Sequence, residues 1–285
     1  MKAFLKTLGV TTAAVALVAC GQGGNEQGGA NGDGGNPDEP TTIKISASNV
    51  PHAEILEEAE PLLKEQGVEL EIEIAQDYIL PNIALNDGDV DANYFQHRPY
   101  LEEQLEQNSD YDFVEAGAIH LEPMGLYSQE YDSVDDLPDG ATVMMSDSVA
   151  DHGRVYSLLQ EAGLITLKEG VSVDATEQDI VDNPKNLTFV NSGVAAELLP
   201  QAYTNNEADL IAINSNYAID AGLSPTEDSV ILEEGDAENP YVNLIVVRSE
   251  DENNEAIQKL VEVLQSEEIK TFIEENYGGA VIPAE

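Results

Sequence analysis

Two hydrophobic rhythms succeed one another along the chain, and they do so in a repeating order. Residues 42–48 (TIKISAS) and 68–75 (VELEIEIA) alternate with a period of two, which predicts strands with one buried face. Between them, apolar residues recur at helical spacing, and Gly67 is suited to end that helix. A short helix over 78–85, a polar turn and a third strand over 90–97 complete a β-α-β-α-β unit.

The same order of elements returns in the second half of the chain. Strands are predicted at 141–145, 187–190 and 209–213, with helices at 152–162 and 194–203 between them. Two units of this kind predict the α/β class, with two βαβαβ-based lobes that face one another.

A further strand and helix follow the second unit. Residues 241–248 form a nearly continuous apolar run, typical of a buried strand, and 256–277 carry an amphipathic helical pattern. The simplest arrangement returns both elements to the first lobe, so that two crossover segments join the lobes and make a hinge. We therefore expect lobe 1 at 42–124 plus 241–285 and lobe 2 at 125–240.

The N-terminal end is predicted to lie outside the folded body. Residues 1–19 combine lysines with an apolar stretch too short to span a bilayer, as a signal peptide does. The sequence LVAC at 17–20 resembles a lipobox, the bacterial lipoprotein cleavage signal, in which Cys20 becomes lipidated, for example with palmitate. An ordinary secretory signal with an incidental cysteine is the alternative. Residues 20–41 show no apolar periodicity and are typical of a flexible tether.

The charge of the chain excludes several partners. The chain has 56 acidic residues and only 11 Lys and Arg residues, which gives a formal charge of -45. Nucleic acid and anionic lipid surfaces would repel such a protein. The excess runs along the whole chain, which favours an acidic, halophilic protein working outside the cytoplasm in concentrated salt or at high pH. Simple solubility is the alternative.

Residues 87–101 (DGDVDANYFQHRPYL) hold the densest group of unusual residues. If the strand in this segment is regular, Asn93, Phe95 and His97 share one face. That face carries an amide, an aromatic ring and an imidazole at a strand end, where open α/β sheets bind ligands. The alternative is a strand packed by Phe95, with His97 hydrogen-bonded nearby.

Five other residues are candidates for binding a small ligand. Arg154 lies at the predicted N-terminus of a helix, where free N–H groups and the guanidinium would suit a carboxylate; a surface ion pair is the alternative. Asn214, Asn216 and Asn243 could hold an ammonium or a carboxylate, although amides after strands are turn formers by default. Tyr78 and Phe95 could flank an apolar or thioether side chain, and core packing is the alternative for both rings.

Signatures of catalysis are missing. The chain has no GxSxG, HExxH or glycine-rich phosphate loop. Its four histidines lack metal-ligand spacing, and Cys20 is the only cysteine, so neither a disulfide nor a cysteine-based metal site is predicted. We expect no catalytic residue, no metal and no cofactor.

The segment at 87–101 closely resembles the signature of the NlpA-type methionine-binding lipoproteins, the substrate-binding components of bacterial ABC importers. Further segments resemble that family in the same order: VPHAEIL at 50–56, DYILPNIAL at 77–85, PMGLYS at 123–128, NSNYAIDAGLSPT at 214–226, PYVNLIVVR at 240–248 and GGAVIPA at 278–284.

This resemblance implies a two-lobed periplasmic-binding-protein fold that captures L- or D-methionine between its lobes. The protein would be anchored through its lipid at the extracytoplasmic face of the cell membrane and would deliver methionine to a permease driven by an ATPase. The resemblance implies that Tyr78, Phe95 and His97 line the side-chain pocket, with Tyr100 as a neighbouring ring. It also implies that Arg154 pairs with the α-carboxylate and that Asn214 and Asn243 hold the head group through their amides.

The sequence departs from the family in the segment SDSVADHGR at 146–154. The family usually shows Asn three residues before the arginine, whereas this chain has Asp151, with His152 beside it. The extra carboxylate could weaken anion binding, or could favour a ligand with an added amine or a peptide N-terminus. A methionine-containing dipeptide or another small amino acid is therefore the alternative ligand. An extracytoplasmic enzyme and an adhesin are alternatives of other classes.

Overall fold

The computed structural model describes residues 40–235 and 239–284, which fold as an α/β protein with two main sheets. The predicted signal peptide at 1–19, the lipidation residue Cys20 and nearly all of the predicted tether at 20–41 lie outside the described residues. Among the described residues, no helix combines the length and the apolar character needed to cross a membrane.

The helices and strands follow one another in three stretches. The first contains β1 (Thr41–Ser48), α1 (Glu54–Glu65), β2 (Val68–Ala75), α2 (Leu80–Asp87), β3 (Ala92–His97), α3 (Arg98–Gln107) and β4 (Phe113–Leu121). The second contains β5 (Gly125–Tyr127), β6 (Thr142–Met144), α4 (Val149–Glu161), β7 (Thr166–Leu167), β8 (Ile180–Asp182), β9 (Thr188–Val190), α5 (Leu199–Thr204), β10 (Leu210–Ile213), α6 (Ser215–Asp220), α7 (Pro225–Asp228) and β11 (Ser229–Leu232). The third contains β12 (Val242–Arg248), α8 (Glu255–Leu264), α9 (Glu267–Tyr277) and β13 (Ile282–Pro283).

Six strands form the first sheet, in the order β13-β4-β12-β3-β1-β2, and we call this sheet and its helices lobe 1. β1 pairs in parallel with β2 and β3, whereas β12 pairs antiparallel with β3 and β4. β12 thus lies inside the sheet, which explains its apolar run: residues 243–247 are all buried. β2 lies at one end of the sheet, and Glu69, Glu71 and Glu73 alternate along it with less exposed residues.

Five strands form the second sheet, in the order β11-β5-β10-β6-β9, and we call this sheet and its helices lobe 2. β6 pairs in parallel with β9 and β10, which repeats the arrangement of β1 with β2 and β3. The chain passes from lobe 1 to lobe 2 at 122–124, the first crossing, and back at 233–241, the second crossing. The predicted fold class is confirmed, and the residue boundaries of the two lobes stay a prediction.

Local chemistry explains where several elements end. α1 buries Ile55, Leu56, Ala59 and Leu63, which share one face of the helix, against the first sheet. Burying one Ile or Leu side chain contributes roughly 1.5–3 kcal/mol. Gly67 follows this helix with a φ of 75°, a left-handed conformation that glycine adopts without a steric penalty, and it turns the chain into β2.

The single helix predicted near the C-terminus consists of two helices in the structure. The amphipathic pattern over 256–277 predicts a single helix, but α8 ends at Leu264 and α9 begins at Glu267. The Ser266 side chain accepts a hydrogen bond from the Ile269 N–H at 3.4 Å, so it caps a new helix where the apolar pattern alone shows no break. The sequence analysis also missed α3 and β4, and it started α2 at residue 78 instead of Leu80.

We expect salt to stabilise this protein. With a formal charge of -45, repulsion between acids opposes the compact state, and dissolved ions screen that repulsion. The melting temperature, followed by circular dichroism, should therefore rise steeply from low salt to molar NaCl. Most of the rise should occur below about 0.5 M, where charge screening changes fastest. A melting temperature that is flat over this range would contradict the prediction.

Candidate functional site

One cavity of about 400 Å³, counted to its open mouth, is lined by side chains of both lobes. All seven residues that the family resemblance assigns to a ligand line it, namely Tyr78, Phe95, His97, Tyr100, Arg154, Asn214 and Asn243. Asn216, the third candidate amide, lines it as well, and so do four residues that were not assigned to the site: Gln96, Glu122, Asp151 and Ser215. The structure thus brings the predicted residues together, and their contact with a ligand stays a prediction.

An aromatic wall forms one side of the cavity. Phe95 packs against Tyr100 and Tyr78, with ring centroids 5.9 Å and 6.0 Å from its own. The Tyr100 hydroxyl donates a hydrogen bond to the backbone oxygen of Tyr78 at 2.8 Å, and the Tyr78 hydroxyl donates to Asn216 Oδ1 at 2.6 Å. The wall therefore combines apolar ring faces with hydroxyls that are already engaged, which suits an uncharged side chain.

A β-bulge sets the direction of these side chains. In the pairing of β3 with β12, Tyr94 and Gln96 have partners in register and Phe95 between them does not. The predicted alternation placed Asn93 on the face of Phe95. Instead, the Asn93 side chain accepts a hydrogen bond from Gln96 Nε2 at 2.9 Å and donates one to Asn82 Oδ1 at 2.9 Å.

His97 joins the strand end to the next helix. Its Nδ1 accepts a hydrogen bond from the Tyr100 N–H at 3.2 Å, which caps α3, and Pro99 lies in the first turn of that helix. Because Nδ1 accepts, the ring proton lies on Nε2, which donates to Asp151 Oδ1 at 3.0 Å. A lobe 1 histidine and a lobe 2 carboxylate are thereby bonded directly.

Asp151 is a fully engaged carboxylate. Its Oδ2 accepts a hydrogen bond from Asn214 Nδ2 at 3.0 Å, in addition to the bond from His97. Burial alone would raise the pKa of Asp151, but the bond to His97, the charge of Arg154 and the bond from Asn214 outweigh it and lower the pKa to about 2. The residue that departs from the family pattern therefore brings a buried negative charge to the cavity.

Arg154 differs from the sequence prediction. α4 begins at Val149, so Arg154 lies in its second turn and not at its N-terminus, and the free N–H groups expected there are not beside it. Its side chain is 4% exposed and is paired with Glu233, whose side chain is 10% exposed. Arg154 Nε lies 3.1 Å from both oxygens of that carboxylate, and Nη2 also bonds to it. The ion pair is thus buried.

The guanidinium also contacts both crossings between the lobes. Nη2 donates to the Glu122 backbone oxygen in the first crossing at 2.6 Å. The partner Glu233 begins the second crossing, and Arg154 Cζ lies 4.4 Å from the centre of the Tyr241 ring near the end of it. The Met124 N–H also donates to Glu233 Oε2 at 3.0 Å. Among the described residues, the hydrogen bonds from Arg154 to Glu122 and Glu233 are made by its Nε and Nη2.

Behind the cavity lies a group of buried titratable residues that the sequence analysis did not connect. Glu122 Oε1 lies 2.8 Å from His120 Nε2 and 3.4 Å from His52 Nε2, and Glu122 Oε2 accepts from the Asn216 N–H at 2.8 Å. Burial raises the pKa of Glu122 and lowers the pKa of His52 to about 4 and that of His120 to about 3. We call His52, His120 and Glu122 the buried triad.

The buried triad also has the composition of a metal site. One ligand atom from each of its residues lies within 4.8 Å of the others. These same atoms face one another at hydrogen-bond distance, and the other ring nitrogen of His120 is bonded to the Tyr94 hydroxyl. These contacts engage Nε2 of both histidines and the carboxylate of Glu122, so we interpret the triad as a polar network. The only advance signal was that His52 falls within the VPHAEIL segment.

Comparison with known proteins agrees with the resemblance at the sequence level. The model of the NlpA lipoprotein family matches residues 43–285. The methionine-binding lipoprotein MetQ of Bacillus subtilis (strain 168) is 48% identical over 283 residues, which are 99% of this chain and 98% of that relative. The D-methionine-binding lipoprotein MetQ of Escherichia coli (strain K12) is 36% identical over 276 residues, 96% of this chain and 95% of that relative.

Solved structures show the same fold. A putative methionine-binding lipoprotein from Bacillus subtilis superposes with a TM-score of 0.83 at 51% identity, covering 86% of this chain and 98% of that one. A nutrient binding protein from Burkholderia cenocepacia, solved bound to methionine, superposes with a TM-score of 0.78 at 37% identity, covering 85% of this chain and all of that one.

Proposed function

Because the chain belongs to the NlpA lipoprotein family, we propose that it binds methionine in the cavity between its lobes and delivers it to an ABC importer. The observation that carries the proposal is the cavity itself, where an aromatic wall lies with an arginine, a carboxylate and two amides. An amino acid with an uncharged side chain has the complementary chemistry: one apolar end and one end with both charges.

The aromatic wall is proposed to hold the methionine side chain. Tyr78, Phe95 and Tyr100 offer ring faces and edges, and a thioether sulfur gains from contact with aromatic edges. His97, next to this wall, would close the pocket at the boundary with the head group. Its Nε2 is committed to Asp151, so it would act by shape and not by charge.

The opposite end is proposed to hold the amino-acid head group. Arg154 would meet the α-carboxylate through Nη1, because the bonds to Glu233 and Glu122 use its other nitrogens. Asp151 would attract the α-ammonium, and Asn214, whose Nδ2 bonds to Asp151, would accept a hydrogen bond from it through Oδ1. Each charge of a zwitterion would then have an opposite charge in the cavity.

Binding is proposed to act through closure of the lobes. Tyr78, Phe95 and His97 belong to lobe 1, whereas Asp151 and Arg154 belong to lobe 2. A ligand that contacts both sets binds the closed arrangement better than an open one, so it shifts the equilibrium toward closure. The permease would then recognise the closed form, and its ATPase would drive transport. Capture and release of methionine by this chain would make or break no covalent bond of the ligand.

The location of the protein follows from its family. The family is one of lipoproteins, and we propose that Cys20, outside the described residues, carries the lipid that holds the protein at the extracytoplasmic face of the cell membrane.

The proposed function is tested by calorimetric titration of the chain lacking residues 1–20 with L-methionine and D-methionine. The protein is first unfolded and refolded to remove ligand carried through purification, and the titration is done in molar NaCl. A saturable one-to-one heat at micromolar concentration or tighter supports the proposal. Binding of a methionine-containing dipeptide or a cationic amino acid alone would assign a different ligand, which Asp151 favours through its charge.

Phe95→Ala should weaken methionine binding about tenfold while changing the affinity for alanine little, because only methionine reaches the aromatic wall. Calorimetry with both amino acids measures the ratio. Phe272→Ala is the matched control, since Phe272 packs in lobe 1 against Tyr277 and does not line the cavity. Equal losses for methionine and alanine would remove Phe95 from the side-chain pocket.

A further inference from the structure

We infer that His52 is a positioning residue for ligand recognition, which fixes the side-chain amide of Asn243 so that its NH₂ group faces the cavity. The inference rests on the proposed function and specifies the polarity of its head-group site. His52 lies in the turn after β1, is 1% exposed and does not line the cavity. Any effect it has on the ligand must therefore pass through another residue.

The bonds around His52 define which ring nitrogen carries the proton. Its Nε2 lies 3.0 Å from Asn243 Oδ1 and 3.4 Å from Glu122 Oε1. An amide oxygen and a carboxylate oxygen are both acceptors, so Nε2 carries the hydrogen and donates it. Among the described residues, Nδ1 of His52 has no hydrogen-bond partner although it is buried, so a second ring proton there would be unsatisfied.

Glu122 is held in place independently. His120 Nε2 lies 2.8 Å from its Oε1, and the Asn216 N–H donates to its Oε2 at 2.8 Å. A carboxylate held by two other residues is a fixed acceptor. His52 therefore lies between two acceptors in defined positions, Glu122 and Asn243, and its ring cannot rotate without losing both contacts.

The consequence falls on Asn243. Its backbone lies near the start of β12, in register with His97 on one neighbouring strand and His120 on the other, so the amide can only choose which of its two groups faces the cavity. Because Oδ1 is bonded to His52, the remaining group is the Nδ2 donor. A donor in this place suits the α-carboxylate.

The second amide of the cavity is fixed in the opposite sense. Asn214 Nδ2 is bonded to Asp151 Oδ2, which leaves Oδ1 of Asn214 as the acceptor. Asn243 thus presents a donor and Asn214 an acceptor, each fixed by a buried partner. The pair distinguishes the carboxylate end of the ligand from its ammonium end.

The test is a double-mutant cycle on methionine affinity, measured by calorimetry. His52→Leu removes the donor and should weaken binding about ten- to a hundredfold, since Asn243 Oδ1 loses its partner and the amide can turn. His52→Gln places an amide N–H near the position of Nε2 and should bind within about threefold of the wild type. In the Asn243→Ala background, His52→Leu should cause little further loss.

Two results would overturn the inference. One is a loss on His52→Leu that is as large with Asn243→Ala as without it, because His52 would then act by some other route. The other is a His52→Gln variant as weak as His52→Leu. If the wild type does not bind methionine, the proposed function is contradicted instead. The inference about His52 is then tested by a measurement that needs no ligand. The ¹⁵N shifts of the His52 ring should show a neutral ring protonated at Nε2, and an Nδ1–H tautomer would overturn the assignment.

Discussion

Arg154→Met should weaken methionine binding by about 2–5 kcal/mol and should also destabilise the folded protein. The affinity falls because the α-carboxylate loses its only cationic partner in the proposed site. The fold is affected because Glu233 is left as a buried carboxylate without its partner, and breaking a buried pair in this way costs about 3–5 kcal/mol. Chemical denaturation measures the second effect and calorimetry the first.

A compensating change separates the two effects. In Arg154→Met combined with Glu233→Gln, no buried charge is orphaned, so much of the stability should return while binding stays weak. Arg98→Met is the matched control, because Arg98 is also paired with a glutamate, Glu115, but its side chain is 38% exposed and lies away from the cavity. Recovery of methionine affinity in the double variant would remove Arg154 from the ligand site.

The stability of the protein should fall between about pH 7 and pH 5 because of the buried triad. In the unfolded chain a histidine takes up its proton near pH 6.5, whereas burial lowers the pKa of His52 to about 4 and that of His120 to about 3. Over this interval the unfolded state binds more protons, so the free energy of unfolding decreases as the pH is lowered. The two histidines together contribute about 4 kcal/mol of this decrease.

Glu122 acts in the opposite sense, so the histidine contribution must be isolated by comparison. Burial raises the pKa of Glu122, and its protonation in the folded state offsets part of the loss. His52→Gln combined with His120→Gln removes both titrating rings. Urea denaturation at several pH values should show a shallower pH dependence in this variant, with unchanged m-values. Parallel pH profiles in the variant and the wild type would contradict the prediction.

Local patterns were enough to predict most of the fold. The strict alternation of β2 and the apolar run of β12 predict a strand with one buried face and a fully buried strand before any pairing is known. The features that the patterns missed depend on a single polar residue in one case and on strand pairing in another. Ser266 breaks the last helix within an apolar period that continues across it, and the bulge at Phe95 arises from the pairing of two strands far apart in sequence.

The sequence was enough to name residues that line the cavity, but not the bonds that connect them. Motif resemblance is sufficient to name Arg154 and Asn243 as candidates, and both line the cavity. It cannot identify Glu233 as the partner of Arg154, because Glu233 is one of 56 acids and lies 79 positions away. The link from His52 to Asn243 spans 191 positions and depends on a tautomer. Such pairings are set by packing, which no local pattern encodes.

The Arg154 side chain contacts both crossings between the lobes. Its guanidinium is bonded to the first residue of each crossing, Glu122 and Glu233. If the lobes close as proposed, rotation of one lobe against the other would therefore move the guanidinium that would meet the ligand's carboxylate. The position of the Arg154 side chain would then depend both on whether the cavity is occupied and on the angle between the lobes.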